Sequence, residues 1–301
     1  MKNKKKLLIL LMFLVLFSCG CTKQLKDKDN KTVTNPKTGQ TLTENILCRP
    51  KDEDTISKYI ENEIDLEVLP ACKSFSVTDG GYEGIWTSLF VKPLAWVIIK
   101  IGNILQTYGA GLIIASLLIR AIALPITLKT AKQSEMMKKA QPDLNKLEKK
   151  YAGREDKDSM MMKSQEMMAI YKKYDINPIS GCLFAFLQIP LFIAFLEAIN
   201  RVPAIFEENF IGFQLGTTPI TGLKNGNFIY IILILLVAGT TYYSMKNNST
   251  QDNQQMQSMN KVLFFVILIT SIFMTSALNI YWITTNLFTI VQNMLVKKEK
   301  V

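Results

Sequence analysis

Long apolar runs separated by charged stretches organise this chain. Lys2, Lys4, Lys5 and Lys6 precede an apolar run from Leu7 to Phe17. As a helix that run rises only about 16 Å, short of the roughly 30 Å hydrocarbon core of a bilayer. A charged head and a short apolar middle predict a secretion signal over residues 1–18. Three later segments reach membrane length: Gly109 to Leu128 (span 109–128), Ile179 to Ile199 (179–199) and Phe228 to Met245 (228–245). The tract from Val262 to Val296 holds no Asp, Glu, Lys or Arg. As one helix it would extend about 52 Å, too long for a single crossing. It predicts two short spans, 262–277 and 280–296, with a tight turn near Ala277-Leu278-Asn279. Leu89 to Gln106 is apolar but carries Lys92, Pro93 and Lys100, and Trp86 and Trp96 suit a membrane interface. This stretch predicts an outer amphipathic helix over residues 86–108. The fold class is therefore an all-α membrane protein with five transmembrane helices.

The polar segments orient these spans. Residues 129–178 hold 12 Lys or Arg, whereas the loop from Arg201 to Asn227 holds only Arg201 and Lys224. The end of the chain adds Lys297, Lys298 and Lys300. The positive-inside rule then puts 129–178 and the C-terminus in the cytoplasm and residues 19–85 outside the cell. Within 129–178, Thr130 to Tyr151 and Asp158 to Tyr174 predict two arms of a helical hairpin, with Ala152-Gly153 between them and Asp158 or Ser159 as a cap. Pro142 is expected to kink the first arm. Met136, Ala140, Leu144, Leu147 and Tyr151 recur at helical spacing, as do Met160, Met167, Tyr171 and Tyr174. Met136, Met160 and Met167 are expected in the seam. Met161, Met162 and Met168 fall off it, where flexible thioethers suit varied apolar partners.

Composition narrows the chemistry. The net charge of +10 suits anionic lipid headgroups or RNA. Basic and acidic residues are mixed in 129–178, so no dedicated nucleic-acid arm and no specific nucleic-acid sequence is expected. The chain has no histidine, which removes HExxH zinc sites and imidazole-based triads. No Gly-rich phosphate loop followed by Lys-Ser or Lys-Thr occurs, so ATP-driven work is not expected. No metal, cofactor or catalytic residue is predicted. The run Leu16-Phe17-Ser18-Cys19 resembles the bacterial lipoprotein processing site, in which a Cys is lipidated (with palmitate among the acyl chains) and becomes the new N-terminus. Cys19 is the expected residue. Cys21 competes, though Ser18 would then stand where Leu is usual, and an uncleaved anchor is the third reading. Cys48 and Cys72 lie in a disulfide-permissive compartment on this reading. Either they pair, which is the expectation, or they are two unrelated thiols.

Polar residues inside the spans carry the functional signal. Arg120 lies about eight residues, roughly 12 Å, before the cytoplasmic end of its span. A mid-span Arg costs about 2.5–3.5 kcal/mol on insertion scales, and such residues usually face a cavity. The competing reading is snorkelling, if Pro125 ends the helix early. Ser116, Arg120, Ala123 and Thr127 share one helix face, and Trp282, Asn286, Thr289 and Asn293 repeat the spacing on the last span. Gln188 sits midway along the second span. No Asp or Glu lies deep in any span, so an intramembrane cation here suggests a wet cavity that receives an anionic guest.

Three stretches resemble the YidC/Oxa/Alb membrane protein insertases, in the lipoprotein form of Gram-positive and related bacteria. They are SLLIRAIALPITLKTAKQSEMMKKAQPDLNKLEKKY at 117–151, YKKYDINPISGCLFAFLQIPLFIAFLEAI at 171–199 and NIYWITTNLFTIVQNML at 279–295. The resemblance covers about 90–299 and implies an insertase core over 109–299. It implies five helices around a hydrophilic groove open to the cytoplasm and to lipid, with a mobile cytoplasmic hairpin. Arg120 would be the groove arginine, with Ser116, Gln188, Trp282 and Asn286 also on the groove. The implied partners are nascent membrane proteins, membrane lipids, the ribosome transiently and the Sec translocon. Two places depart from the family pattern. The turn before the last span reads Thr275-Ser276-Ala277-Leu278-Asn279 rather than carrying Gly or Pro. Only five residues follow Val296, which puts tight ribosome docking through the tail in doubt. A small-anion transporter or channel is the rival reading, because it would share the buried Arg. Transporters often show internal repeats, and none is visible between 109–199 and 228–296.

Overall fold

The computed structural model describes residues 22–154, 156–177, 179–248 and 254–298. The signal segment, Cys19 and Cys21 lie outside the described residues. The chain divides into two compact units. The first holds the described residues up to Ile119 together with Gln188–Val237 and Ile269–Thr285. The second holds Arg120–Leu187, Ala238–Leu268 and the chain from Asn286 on.

In the first unit, residues 22–85 form a folded layer rather than a featureless polar segment. Leu25, Leu42, Ile46, Tyr59 and Leu66 build a small core of their own. Antiparallel bridges join Gln24 to Thr43, Lys26 to Thr32 and Thr34 to Thr41. Helix α1 (Glu53–Glu61) starts at Asp52, whose carboxylate accepts the Thr55 N–H at 2.9 Å. The Tyr59 hydroxyl donates to the Thr43 carbonyl at 2.9 Å, and burial pushes its pKa well above the usual phenol value. Cys48 and Cys72 are joined by a disulfide, with their Cα atoms 4.8 Å apart.

A π-helical turn, Thr87–Val91, runs directly into α2 (Lys92–Leu105). Helix α2 ends at Gln106, whose φ of 60° lets its N–H close onto the Gly102 carbonyl. Helix α3 (Tyr108–Lys150) follows at once and runs 43 residues without a break through Pro125 and Pro142. Where α2 and α3 cross, a Cβ on Gly111 would lie 2.5 Å from the Ile98 carbonyl oxygen and 2.8 Å from the Gly102 nitrogen. Only glycine permits that approach. The first N–H groups of α3, on Tyr108 and Gly109, are accepted by the Glu208 carboxylate at 2.6 and 3.0 Å.

The rest of the chain runs as α4 (Lys157–Lys173), α5 (Ile179–Asn200), α6 (Pro203–Phe206), the two-stranded hairpin β1 (Asn209–Phe210) and β2 (Phe213–Gln214), α7 (Pro219–Lys224), α8 (Ile229–Asn248), α9 (Gln254–Phe273) and α10 (Ser276–Lys298). The core of the first unit gathers Val91 of the π-helical turn, Ala95, Ile98 and Ile99 of α2, Leu112 and Ala115 of α3, Phe195 and Ile199 of α5, and Leu278 and Tyr281 of α10. Phe195 and Tyr281 meet with ring centroids 4.4 Å apart.

Among the described residues, three helices are long and apolar enough to cross a membrane: Thr87–Leu105, Tyr108–Lys150 and Ile229–Lys246. Gln188–Asn200 and Lys261–Phe273 are shorter apolar helices. Two features differ from the sequence expectation. Thr87–Leu105 meets the criterion of length and composition although the sequence suggested a surface helix, because Lys92 and Lys100 are its only charges. Helix α10 is not among the three, because Asn279, Asn286, Gln292 and Asn293 dilute its apolar content.

Local details also differ from expectation. The break before the last helix falls at Met274-Thr275, and Ala277-Leu278-Asn279 already belong to α10. The Ser276 N–H and Oγ both donate to the Thr217 carbonyl at 2.9 and 2.8 Å, and the Ala277 N–H donates to Leu215 at 2.9 Å. The Asn279 amide reaches back to the Ser271 carbonyl at 3.0 Å. These bonds satisfy the turn without glycine or proline. Trp86 is buried at 3 % exposure, and its indole N–H donates to the Glu197 carboxylate at 3.0 Å.

In the second unit, the later part of α3 pairs with α4. Ala140, Leu144 and Ile176 form the seam, with Met136, Met137, Met167, Tyr171 and Tyr174 against it. Asp156, not Asp158 or Ser159, caps α4 by accepting the Ser159 N–H at 2.8 Å. Lys150 and the Tyr151 hydroxyl both donate to Glu166 (2.6 and 2.9 Å), and Lys173 and the Tyr174 hydroxyl both donate to Asp143 (2.7 and 3.0 Å). Met160 was expected in the seam but is exposed, as are Met161, Met162 and Met168. Glu166 already faces the last turn of α3, so Met160, about 9 Å nearer the connecting turn, has no facing helix to pack on.

Candidate functional site

Apolar helices that carry buried polar side chains mark the candidate site. In hydrocarbon such groups cost several kcal/mol unless they are satisfied or wet, so their clustering needs a reason.

Both units hold such residues, and the second includes Arg120. Arg120 is buried at 6 % exposure on α3. One helical face further along, the Thr127 hydroxyl donates to the Gln292 side-chain carbonyl of α10 at 3.0 Å, both groups buried. The Asn286 amide of α10 donates to the Thr241 hydroxyl of α8 at 2.9 Å. Ser244, Thr289 and Asn293 are buried in the same unit. Polar faces of three helices, α3, α8 and α10, therefore belong to this unit. Thr241, Ser244 and Gln292 were not singled out by sequence reasoning. The signal was available in part: Thr241 and Ser244 lie three residues apart within an apolar run, and Gln292 adjoins Asn293.

The first unit holds the other three candidate residues. Ser116 is buried and returns its hydroxyl to the Leu112 carbonyl of its own helix at 2.7 Å. Gln188 is half-buried on α5. Trp282 of α10 is half-buried and packs edge-on against Phe192 at 5.2 Å between ring centroids. Arg120 and Asn286 thus sit in one unit, and Ser116, Gln188 and Trp282 in the other. No group of three or more Cys, Asp or Glu side chains fit to hold a metal occurs among the described residues.

The first unit has one more charged feature that the sequence did not disclose. The Glu83 carboxylate accepts from Lys92 at 2.8 Å and from Arg201 at 2.6 Å. Both cations are buried, Lys92 at 0 % and Arg201 at 1 % side-chain exposure, while Glu83 keeps 33 %. Lys92 also donates to the Asp79 and Gly81 carbonyls at 2.7 Å, and Arg201 Nε to the Asn45 carbonyl at 2.6 Å. Burial alone would raise the Glu83 carboxyl. Hydrogen bonds and charge from Lys92 and Arg201 outweigh it and hold the group below the usual carboxylate range. With Thr43 bonded to the Asn200 carbonyl and the Lys51 and Asp52 N–H groups on the Glu207 carboxylate, the cluster fastens residues 22–85 to the loop after α5.

Comparison with known proteins assigns the chain. A family model described as 60Kd inner membrane protein matches residues 100–301. The chain is 34% identical over 218 residues to a membrane protein insertase YidC of Oceanobacillus iheyensis, covering 72% of this chain and 85% of the relative. It is 36% identical over 218 residues to a membrane protein insertase YidC of Alkalihalophilus pseudofirmus, covering 70% of this chain and 81% of the relative. In fold it is similar to a crystal structure of an active YidC insertase with the first transmembrane domain resolved. That match has a TM-score of 0.52 at 19% identity, covers 79% of this chain and spans about half of that structure, 52%. The match from residue 100 to 301 takes in α3, α5, α8 and α10, and on it the chain belongs to the 60Kd inner membrane protein family.

Proposed function

We infer that this protein inserts newly made proteins into the bacterial cytoplasmic membrane. The single observation that carries the reading is its identity to membrane protein insertases over about seven-tenths of its length. The buried polar faces of α3, α8 and α10 add a physical reason, since a helix that only anchors a protein in lipid has no need of them.

The proposed path is a hydrophilic groove served by Arg120 and Asn286, with Ser116, Gln188 and Trp282 also meeting the client. Five crossings, near 109–128, 179–199, 228–245, 262–277 and 280–296, carry it, and the α3–α4 hairpin lies in the cytoplasm. Residues 86–108 lie at the outer surface. A client span gains about 0.3–0.6 kcal/mol per Leu, Ile, Phe or Val on entering lipid. The obstacle is the polar tail that must cross. A wet groove shortens the low-dielectric path, and a buried cation offsets part of the cost of burying acidic residues. The membrane potential adds about 2.3 kcal/mol per 100 mV for each anion moved outward. No nucleotide is needed. The ribosome and the Sec translocon are the proposed sources of clients, met through the hairpin and its exposed methionines.

The N-terminus is proposed to lie outside, held by a diacylglyceryl group on Cys19. Mass spectrometry of the mature protein is expected to find lipid on Cys19, and an intact Met1 or a modified Cys21 would refute the anchor. Depletion of the protein from cells is expected to leave newly made membrane proteins uninserted. Loss of uptake of one small anion with insertion intact would favour the transporter reading instead.

A further inference from the structure

Within the first unit a cavity of about 380 Å³ opens between two walls. Asn35, Lys37 and Asp52 belong to the N-terminal segment, and Glu207, Asn209, Asn225 and Asn227 to the loops between α6 and α8. Residues 22–85 lie outside the family match at 100–301, so that match does not by itself imply a ligand here.

The lining has a definite chemistry. The side-chain amides of Asn209 and Asn225 have no partner among the described residues, and both residues are exposed at the rim. Asn227 spends only its carbonyl oxygen, on the Ile229 N–H. Each amide offers two N–H donors. Two carboxylates already fixed in place accompany them, Glu207 on the same wall and Asp52 on the other. Asp52 accepts from the Thr55 N–H and hydroxyl at 2.9 Å, and Glu207 from the Lys51 and Asp52 N–H groups at 3.0 and 3.1 Å. Asp52 Oδ1 takes no hydrogen bond among the described residues and Glu207 Oε2 takes one, so each carboxylate keeps an open acceptor. Lys37, the one cation on the lining, is ion-paired with Asp54. The wall therefore presents fixed acceptors and open amide donors, and no uncommitted positive charge for a phosphate or carboxylate.

Groups that both donate and accept at several adjacent points match such a wall, and hydroxyls on a ring do so. We propose that this cavity binds an uncharged sugar of mono- to disaccharide size, with sugar hydroxyls donating to Asp52 and Glu207 and accepting from Asn209, Asn225 and Asn227. The volume lies in the range of small-ligand sites. The proposal rests on the reading above only in placing the cavity outside the cell, where glycans of the envelope would reach it.

The test is saturation-transfer NMR on the full chain in detergent micelles. The probes are N,N′-diacetylchitobiose, glucose 6-phosphate and tri-alanine amide. Transfer is expected to chitobiose and not to glucose 6-phosphate. The double variant Asn209→Ala, Asn225→Ala is expected to weaken chitobiose binding about tenfold or more, as loss of two sets of hydrogen bonds would. Both residues lie at the exposed rim, and an unchanged thermal midpoint confirms that the variant is folded. No transfer to chitobiose, transfer to the peptide in its place, or equal transfer in the double variant would overturn the proposal. The measurement needs no insertion, so a protein that inserts clients but ignores the sugar overturns this inference alone.

Discussion

Glu83→Ala is expected to lower the unfolding free energy by about 2–4 kcal/mol, the scale for breaking a buried pair and stranding its partner charge. Two cations depend on that carboxylate, Lys92 at 0 % and Arg201 at 1 % side-chain exposure. Lys92 would keep the Asp79 and Gly81 carbonyls, and Arg201 the Asn45 carbonyl. Neither would keep a counter-charge from Glu83. Because Glu83 is itself one-third exposed, solvent screening moves the expectation toward the lower half of that range. Glu83→Gln retains the shape and loses the charge, and its effect should be smaller. The pH dependence follows from the depressed carboxyl. A carboxylate held below its unfolded value contributes stability above that value, about 4.3, and loses it as pH falls through the lower folded value. The wild type should therefore weaken below about pH 4 by more than either variant does. Thermal unfolding of the full chain in detergent, followed from neutral to acid pH, measures this. A change within about 0.5 kcal/mol for Glu83→Ala, the scatter of ordinary surface substitutions, would show that the cluster fastens nothing.

Part of this architecture was legible in the chain and part was not, for identifiable reasons. The apolar runs at 109–128 and 228–245 stand out because lipid-length apolarity is a one-dimensional signal, and both match observed helices to within a residue at their starts. The hairpin arms were readable from the spacing of Met136, Ala140 and Leu144. The continuity of α3 through Pro125 and Pro142 was not, because proline propensity argues for a break and neighbouring structure overrides it. The turn at Met274-Thr275 was misplaced by a few residues. Its hydrogen bonds come from Leu215 and Thr217, about sixty residues earlier in the chain, and local sequence carries no trace of them. The same holds for residues 22–85. Their core joins Leu25 to Leu66 across isolated bridges too short to give a periodic pattern. At the candidate site, Arg120, Asn286 and Gln188 were conspicuous as polar residues in apolar runs. The Glu83 cluster was invisible, since Arg201 lies 118 residues from Glu83 and no local pattern links them.

The central claim is that Arg120 guides acidic client tails across the membrane, and the most direct test varies the client charge. Arg120 is a buried cation on a membrane-length helix, and its attraction for an anion grows as the medium grows less polar. Arg120→Ala should therefore impair clients in proportion to the Asp and Glu in their translocated tails. Each acidic residue then loses an interaction on the order of 1–4 kcal/mol, equivalent to about fivefold or more in rate. Arg120→Lys should retain much of the activity if long-range attraction, not a bidentate grip, is what matters. The measurement is protease protection of clients carrying zero, one, two or three acidic tail residues, inserted by the wild type and both variants at equal membrane levels. The account predicts near-normal insertion of the neutral client by Arg120→Ala, with progressive loss as acidic residues are added. An equal reduction for every client, or none for any, would contradict it.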